Sequence, residues 1–576
     1  MGSKILVLNL TRMGDLIQTT PLIKGLREKE PDCHITLLSN VKFAGILGMV
    51  DGIDEVLIFD VRQFGSAGGE ETDALAVYKY LDTLTRDLNS RRFDMVINLS
   101  HSKLTAVMAM LTGAPDTRGF VASPEGDRLV GDPWLVYFTS FLMFRRYNRF
   151  NLVDMYMRGA GVEPGDSRRL GLIVSDKALS KARQRMEELG VKPDEIIIGI
   201  QAGASRADRR WNPKSFAAVA DHLSTTRGAR IALFGAASEK TLGDEVEAAM
   251  TEPAINLIGV TDLEELAGWV KLSNLLVTND TGTMHIAAAV GTPIVGLFFV
   301  HAKCDETGPY TEGSIILEAD IACAPCSHST VCDHYSCLRY VTPEDVIAAC
   351  ESALDGDMAP LEKPGLFGKT KVYRSAFGED GGVEFEPPLK PELTAHEFFA
   401  RLYRPLFIEA LARWDDPQGM ELADEVIHNA IDKMSFSFSL PPGHDIETWT
   451  GRALEGGSRL AGLAAESAAL AEEIEKGGGR IDIKNTGERL ASVDVDISVL
   501  SGVYEMTAPL VNVYRRRQEN FQGADPAGLA RQVAKAAEWL KQSTGIYIHA
   551  VKTARGALLT KETLKNTAIS SGEIRK

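Results

Sequence analysis

Short apolar runs alternate with amphipathic stretches along the first 165 residues. The apolar runs predict buried strands, and the stretches with apolar residues at three- and four-residue spacing predict helices. The predicted strands are 5–10, 34–38, 56–59 and 95–99, and the predicted helices are 16–30, 72–89 and 103–112. Strands and helices in alternation are typical of a doubly wound parallel sheet.

A second set of the same kind follows a polar stretch at 163–169. Its predicted strands are 196–201, 230–234, 255–258 and 275–277, and a helix at 343–353 closes it. Two such sheets in tandem predict a cleft, and ligands are expected at the carboxyl ends of the strands.

The pattern changes after residue 354. Residues 355–393 are rich in Gly, Pro and charge, which predicts a linker. The pattern of residues 394–576 predicts an antiparallel helical bundle. No motif that indicates chemistry occurs in its sequence. The predicted helices of this bundle are 396–414, 419–434, 451–476, 487–520 and 526–555. We therefore expect domains at 1–165 and 166–354, a linker at 355–393, and a bundle at 394–576.

Composition narrows the class of protein. A net charge of −17 argues against general nucleic-acid binding, which needs a basic face. No stretch reaches the roughly 20 apolar residues of a membrane span, and no signal-peptide pattern is visible, so we expect a cytoplasmic protein.

The segment 275–299 carries the strongest functional pattern. A buried strand is followed by the polar turn Asn279-Asp-Thr-Gly-Thr283, a short helix from about 284 to 290, and Gly291 as its stop. Such a turn presents backbone N–H groups and a positive helix end, which suit a phosphate. Asp280 and His285 could hold a sugar. The alternative is a well-capped helix without a ligand.

The first strand-to-helix turn contains Arg12, Gly14 and Asp15. It lacks the GxGxxG dinucleotide fingerprint. Asp15 at a helix start could accept a proton from an acceptor hydroxyl, or it could simply cap the helix.

A third candidate loop follows strand 196–201. Its small residues, with Ser205, Arg206, Arg209 and Arg210, suit a diphosphate. The alternative is a solvated basic loop.

Four of the seven cysteines crowd one segment as Cys323-x2-Cys326-x5-Cys332-x4-Cys337, with His328 and His334 between them. The spacing is close to that of zinc ligands without matching a pair of CxxC motifs, and it favours reduced structural thiols over zinc.

Residues 134–156 mix aromatic side chains with Arg145, Arg146 and Arg149. They could touch a lipid surface or an anionic acceptor. A buried helix with a basic edge explains them equally well.

Four segments, in this order, resemble glycosyltransferase family 9, the ADP-heptose:lipopolysaccharide heptosyltransferases. They are KILVLNLTRMGDLIQTTPLIKGLRE, NLVDMYMRGAGVEP, QAGASRADRRWNPKSFAAVADHL and VTNDTGTMHIAAAVGTPIVGLF. The cysteine segment, which runs into CLRYVTPEDVIAAC, also resembles many members. The resemblance covers about residues 1–353, and the bundle lies outside it.

The resemblance implies two facing Rossmann-like domains, the glycosyltransferase B fold. It also implies inverting, metal-independent transfer of a sugar, with ADP-heptose as donor and no cofactor. By position, Asp15 matches the general base, Arg209 the phosphate-binding lysine, and Asp280 the sugar-contacting aspartate. Thr281 and Gly282 match the backbone that holds phosphate, with Thr283, His285, Ser205 and Arg210 beside them as donor-site candidates.

The expected partners are a nucleotide sugar, a glycolipid or polysaccharide acceptor, and the cytoplasmic face of the inner membrane as a peripheral contact. The bundle is a candidate for a protein partner or for self-association. Two other functions stay open: a nucleotide-sugar epimerase on the same architecture, and a non-catalytic member that recruits partners through the bundle.

Overall fold

A computed structural model of the chain describes residues 2–64, 73–165, 169–327, 330–389, 394–432, 446–476 and 482–570. The strands of the described chain are β1 (Lys4–Asn9), β2 (His34–Asn40), β3 (Glu55–Phe59), β4 (Met95–Asn98), β5 (Asp116–Ala122), β6 (Arg128–Val130), β7 (Ile197–Gln201), β8 (Arg230–Leu233), β9 (Ile255–Asn256), β10 (Leu275–Asn279), β11 (Ile294–Phe298), β12 (Ile315–Ala319), β13 (Thr370–Phe377) and β14 (Val383–Glu386).

The helices of the described chain are α1 (Met13–Ile17), α2 (Thr20–Lys29), α3 (Ala44–Leu47), α4 (Ala74–Ser90), α5 (Lys103–Leu111), α6 (Pro133–Ser140), α7 (Leu152–Gly159), α8 (Asp176–Glu188), α9 (Pro213–Arg227), α10 (Lys240–Ala249), α11 (Leu263–Leu272), α12 (Gly282–Val290), α13 (Cys304–Thr307), α14 (Cys337–Tyr340), α15 (Pro343–Asp355), α16 (Ala395–Ala412), α17 (Asp424–Asp432), α18 (Ile446–Lys476), α19 (Ile483–Val503), α20 (Ala508–Gln518) and α21 (Pro526–Ser570).

The first sheet has the strand order β3-β2-β1-β4-β5-β6. The first five strands are parallel, and β6 is antiparallel to β5. Five of the six residues of β1 are buried, as expected for a central strand covered on both faces. The carboxyl end of β1 leads into α1, and this edge carries the first candidate loop.

The second sheet has the order β14-β13-β12-β11-β10-β7-β8-β9. Strands β7 to β12 are parallel, and β13 and β14 add an antiparallel hairpin at one edge. This hairpin lies within residues 355–393, so the expectation of a plain linker there is wrong. Polar and charged residues alternate with buried ones such as Val372, Val383 and Phe385, the pattern of a half-exposed edge.

Prolines explain two differences from the predicted helices. The predicted helix 16–30 is divided into α1 and α2, with Pro21 in the first turn of α2. The predicted helix 487–520 is divided into α19 and α20, with Pro509 in the first turn of α20. Proline lacks an N–H donor and fits a first turn far better than a helix interior.

The chain forms two compact units. One comprises residues 1–132 and 150–389 and contains both sheets. The other comprises residues 133–149 and 390–576 and is helical. The segment 133–149, which includes α6, leaves the two-sheet unit in sequence and folds with the helices of the bundle.

Aromatic rings connect this inserted segment to the bundle. The ring of Tyr137 lies 4.8 Å from that of Phe407 on α16, in an edge-to-face arrangement. Phe144 stacks on the same phenylalanine at 6.4 Å, and Tyr403 stacks on it from α16 at 5.4 Å. Arg404 on α16 also donates to the backbone carbonyl of Arg149. Of the two interpretations of the aromatic residues 134–156, the buried helix is therefore the one that applies to α6, which packs inside the helical unit.

The long helices complete this unit. Helix α18 packs against α21 and α19. Gly456 and Gly457 allow neighbouring residues to approach the backbone of α18 closely. A Cβ at position 456 would lie 2.7 Å from Tyr504, and a Cβ at position 457 would lie 2.9 Å from Ile548. None of the described helices is long and apolar enough to cross a membrane.

The aromatic contacts of the inserted segment predict a large effect of Phe407→Ala. Phe407 is fully buried, so its truncation removes contacts with three rings and leaves a cavity. We expect the free energy of unfolding to fall by about 3–5 kcal/mol, measured by urea denaturation of the full chain. Val495→Ala, at a side chain that is 60% exposed, is the control and should change it by less than about 0.5 kcal/mol. Equal effects of the two substitutions would contradict this packing.

Candidate functional site

The acceptor-side turn connects β1 to α1. Asn9 at the end of β1 donates through its side-chain amide to Thr19 Oγ1 at 2.9 Å, which holds the turn closed. Asp15 occupies the third position of α1, and its carboxylate accepts the backbone N–H of Arg12 at 3.3 Å. Asp15 therefore does help to cap α1, which was one of the two interpretations of the sequence. It does so from the third position of the helix and not as the N-cap residue.

Burial raises the pKa of Asp15 above its ordinary value. A hydrogen bond from the Thr11 side chain and the positive charge of Arg12 act in the opposite direction. A carboxylate with a raised pKa is a stronger proton acceptor, so Asp15 has the chemistry of a general base.

The loop after β7 positions Arg209 against Asp280, at the end of β10. The Arg209 guanidinium donates to Asp280 Oδ2 at 2.8 Å and also to the Ser205 hydroxyl. The side chains of Arg209 and Asp280 are 8% and 13% exposed. This ion pair unites three predicted donor-site residues.

Arg210 has a different environment from Arg209. Its guanidinium donates to the carbonyl of Ala204 at 3.1 and 3.0 Å. It lines a groove of about 630 Å³ together with Tyr335 and Arg339. The structure thus separates two neighbouring arginines that the sequence placed together at the donor site.

Helix α12 begins beside the ion pair. Thr281 is its N-cap in extended conformation, and no side chain caps the helix. Its first backbone N–H groups, from Gly282 onward, are therefore the kind of anion site that the turn predicts. Thr283 donates to Gln201 Oε1 at 3.2 Å, and Gly291 ends the helix at φ +82°.

The turn that carries Asp15, in the first sheet, and the loop that carries Asp280, in the second sheet, lie close together. Burial raises the pKa of Asp280, Arg209 lowers it, and Asp15 raises it further by charge repulsion. Asp15 belongs to the first sheet and Asp280 to the second. Their carboxyl groups therefore lie within electrostatic reach of each other.

Two close approaches bring the sheets together here. A Cβ on Gly14 would lie 2.8 Å from His285 Cδ2, so only glycine admits the histidine ring. A Cβ on Gly282 would meet the Met13 side chain. His285 is buried, and burial lowers its pKa to about 4, so the ring is neutral near pH 7. Its Nδ1 has no hydrogen-bond partner among the described residues.

Sequence reasoning gave little weight to Glu239. Its carboxylate accepts from the Gln201 side chain at 3.2 Å and from the backbone of Ala236 at 2.9 Å. It fills the space where a Cβ of Gly203 would stand. In the sequence, the loop 235–239 after the predicted strand 230–234 is by itself only a weak indication of a site. The adjacency of β7 and β8 brings Glu239 to Gln201.

Two further groups near the carboxylates escaped the sequence analysis. Tyr156 on α7 is fully buried; burial raises the pKa of its phenol, and so does the charge of nearby Asp15. Glu306, in a buried polar stretch after β11, adds to the raised pKa of Asp280. The pattern in the sequence that could have pointed to Glu306 is a run of charged residues that follows an apolar strand.

No disulfide bond joins the cysteines of the 323–337 segment in the described structure. Cys326 and Cys337 are buried, Cys332 is partly buried and Cys323 is exposed. Burial raises the pKa of the Cys337 thiol, and the neighbouring thiols of Cys332 and Cys323 raise it further. The segment lies beside β12 and α14, and His328 falls outside the described residues.

Comparisons with known proteins show which sequences and folds this chain is similar to. Residues 82–335 match the model of glycosyltransferase family 9 (heptosyltransferase). The lipooligosaccharide heptosyltransferase 2 of Haemophilus influenzae is 36% identical over 127 residues, which are 21% of this chain and 36% of that protein. This chain thus spans little more than a third of that relative.

Longer matches cover about three fifths of this chain. The lipopolysaccharide heptosyltransferase 3 of Escherichia coli is 27% identical over 365 residues, 61% of this chain and 98% of that protein. A glycosyl transferase family 9 crystal structure from Veillonella parvula has a TM-score of 0.51 at 25% identity, covering 62% of this chain and 98% of that one. The two sheets have the glycosyltransferase B arrangement, and residues 82–335 of this chain are similar to glycosyltransferase family 9, whereas residues 390–576 of the helical unit lie outside that match.

Proposed function

We propose that the protein transfers a sugar from a nucleotide-sugar donor onto a hydroxyl group of a cell-envelope glycan. Heptose as the sugar and lipopolysaccharide as the acceptor are the first candidates, since the relatives are named lipooligosaccharide and lipopolysaccharide heptosyltransferases. ADP-heptose is the donor that the sequence resemblance implies. The observation that carries the proposal is the cleft in which Asp15, from one sheet, faces the Arg209–Asp280 pair, from the other.

The donor occupies the second sheet in this proposal. Its diphosphate lies against Arg209 and the first backbone N–H groups of α12, where a guanidinium and a helix end both favour negative charge. Asp280, beside them, contacts the sugar hydroxyls. Glu239 and Gln201 offer further hydrogen-bonding groups at the same edge of the sheet.

Cleavage of the donor releases a nucleoside diphosphate, whose charge grows as the bond between the anomeric carbon and the phosphate oxygen breaks. Arg209 and the α12 backbone supply positive charge at that point without a metal ion. Because the site is largely desolvated, each of these interactions is stronger there than in water.

The acceptor hydroxyl approaches from the first sheet. Asp15 takes its proton as the oxygen attacks the anomeric carbon, and the electron pair of the broken bond leaves with the diphosphate. Base and leaving group are on opposite sides of the sugar, so the single displacement inverts the anomeric configuration. Tight contact between Gly14 and His285 brings the two sheets close enough for this reaction.

The buried carboxylate of Asp15 favours an enzyme over a non-catalytic protein. An epimerase also requires a base, so the need for an acceptor is what separates it from a transferase. A non-catalytic protein has no need for a buried carboxylate that is costly to keep charged. We propose peripheral contact with the inner membrane only as a consequence of a lipid-linked acceptor.

Asp15→Asn tests the base. The amide keeps the shape of the side chain and cannot accept the proton, so we expect sugar transfer to fall by about 10²–10⁴-fold. Binding of the donor, measured by calorimetry, should change little, because Asp15 lies on the acceptor side. Full transfer activity in this variant would remove Asp15 from the mechanism, and product formed without acceptor would indicate an epimerase.

The pH profile tests the environment of Asp15. The reaction needs its ionised form, so kcat/KM should fall as the pH decreases through a pKa that burial has raised. Arg12 lowers that pKa, so Arg12→Gln should move the acidic limb to higher pH. If the acidic limb of the Arg12→Gln profile stayed in place or moved to lower pH, this result would contradict the assignment of Asp15 as the base.

Arg209→Met tests the diphosphate site. Loss of hydrogen bonds to a charged ligand costs about 1.5–3 kcal/mol, so the Kd for the nucleoside diphosphate should rise roughly 10- to 150-fold. Arg206→Met is the matched control, because Arg206 is 49% exposed and pairs only with Asp208 among the described residues. Equal losses in both variants would mean that general charge, and not this site, binds the diphosphate.

A further inference from the structure

A short turn directly after α6 carries two exposed apolar side chains. Residues Phe141–Met143 form a single turn of 3₁₀ helix in the helical unit. Leu142 is 47% exposed and Met143 is 71% exposed, the largest exposed fraction among the large apolar residues described in that unit. We call residues 141–144 the apolar turn. Its two central side chains lie in solvent, whereas α6 before it is largely buried.

The two phenylalanines that enclose this exposed pair anchor the turn. Phe141 and Phe144 are both buried. The ring of Phe141 lies 5.7 Å from that of Phe138, and the ring of Phe144 stacks on that of Phe407 at 6.4 Å. Because buried rings fix the backbone on both sides, the two residues between them are held at the surface and do not fold inward.

Arginines are concentrated around the apolar turn. Residues 133–149 and 508–520 contain one carboxylate, Glu519, in a chain whose net charge is −17. The same two segments contain six arginines, which are Arg145, Arg146, Arg149, Arg515, Arg516 and Arg517. Helix α20 packs against α6 and against the apolar turn, and the Arg516 guanidinium donates to the Thr139 carbonyl at 3.3 Å. Positive charge therefore gathers beside the turn in an otherwise acidic protein.

Three of these arginines reach solvent. Arg146 and Arg515 are exposed, and Arg516 is partly exposed and pairs with Glu519. Among the described residues Arg515 has no ion-pair partner. The other three arginines are buried and belong to the packing of the helical unit. The exposed surface thus combines two apolar side chains with three cationic ones.

This combination suits the surface of an anionic lipid bilayer. Apolar side chains are stabilised at the boundary between the headgroups and the acyl chains, and nearby arginines are attracted to the lipid phosphates. Arginine also extends its apolar stem along the boundary while its guanidinium stays at the headgroups. The anchored turn needs no rearrangement to present Leu142 and Met143.

A second copy of the chain fits this surface less well. A symmetric contact would place the arginines of one copy against those of the other, and like charges repel. Two apolar residues also cover far less than the roughly 800 Å² per partner that a stable protein interface buries. An acidic protein would match the arginines and leave the apolar pair without an apolar environment.

We propose that the apolar turn and the adjoining arginines bind the helical unit to an anionic lipid surface. Leu142 and Met143 enter the boundary between headgroups and acyl chains, and the lipid phosphates contact Arg146, Arg515 and Arg516. This contact is independent of the proposed sugar transfer, because neither donor nor acceptor takes part in it. It gives a role to a unit that lies outside the match with the glycosyltransferase family.

Flotation of the full chain with vesicles tests the proposal. We expect the protein to float with vesicles of phosphatidylcholine mixed with phosphatidylglycerol and to remain unbound with pure phosphatidylcholine. Binding should weaken as the salt concentration rises, since salt screens exposed charges. Protein that does not float with the mixed vesicles at low salt overturns the proposal.

A double substitution tests the apolar pair. Leu142→Ser together with Met143→Ser should weaken binding to the mixed vesicles by about tenfold or more, because the apolar area that enters the lipid is lost. Both side chains are exposed, so the thermal unfolding midpoint should change little. Val499→Ser, at a residue of the same unit that is 59% exposed, is the matched control and should bind normally. Unchanged vesicle binding in the double variant overturns the assignment of the turn.

Arg515→Gln tests the cationic part of the surface. Loss of one arginine near an anionic bilayer should weaken binding about fivefold. Arg489→Gln removes an exposed arginine of α19 and is the matched control. If both variants lost the same affinity, general charge and not this surface would attract the lipid, and the proposal would be wrong.

Quenching by brominated lipid reports directly on insertion. Five of the six native tryptophans are buried, so an indole placed on the surface is distinguishable from them. Emission from the Met143→Trp variant should be quenched by mixed vesicles that contain brominated acyl chains, whereas emission from Val499→Trp should not. Vesicle binding without this quenching would assign the contact to another surface. A dimer that dissociates in the double serine variant, without vesicle binding, would identify a second copy as the partner; either result overturns the proposal.

Discussion

The ion pair between Arg209 and Asp280 is the interaction on which the candidate site depends. Both side chains are almost completely buried, and a second carboxylate, Asp15, lies within electrostatic reach. Two carboxylates in one desolvated cleft are costly unless a cation accompanies them. Arg209 supplies that charge, and the same guanidinium faces the place where a diphosphate would lie. The pair thus balances the charge of the carboxylates with the same group that we propose binds the diphosphate.

Close packing between the two sheets makes this electrostatic arrangement possible. Gly14 admits the ring of His285, and Gly282 admits the side chain of Met13. Both glycines belong to the strand-to-helix turns that also carry Asp15 and Asp280. The residues that bring the sheets together are therefore next in sequence to the residues for which we propose a chemical role, so a change in one alters the geometry of the other.

The helical unit is joined to the two-sheet unit by more than a linker. Residues 133–149 leave the first sheet after β6, fold among α16 and its neighbours, and return at residue 150 to continue into α7. Helix α7 carries Tyr156, whose phenol is near Asp15. The chain thus passes through the helical unit between the first sheet and helix α7.

The amino-acid sequence determined the parts of this protein that depend on local pattern. The strands β1–β4, β7, β8 and β10, and the turns around Asp15, Arg209 and Asp280, follow from buried apolar runs and from glycines at tight turns. Helix boundaries at Pro21 and Pro509 also have a local cause, although the periodicity of the surrounding residues concealed them.

Only the tertiary structure decided the features that depend on neighbours distant in sequence. Glu239 reaches Gln201 because β7 and β8 are adjacent, and Arg210 turns away from Arg209 because the Ala204 carbonyl accepts its guanidinium. The hairpin β13–β14 forms because the edge of β12 offers unpaired backbone groups. The aromatic segment 133–149 has the composition of a membrane-contacting stretch, and its burial depends on rings supplied by residues more than 250 positions later. Local sequence patterns specify elements and turns, whereas the choice of partner depends on long-range packing that a single sequence does not display.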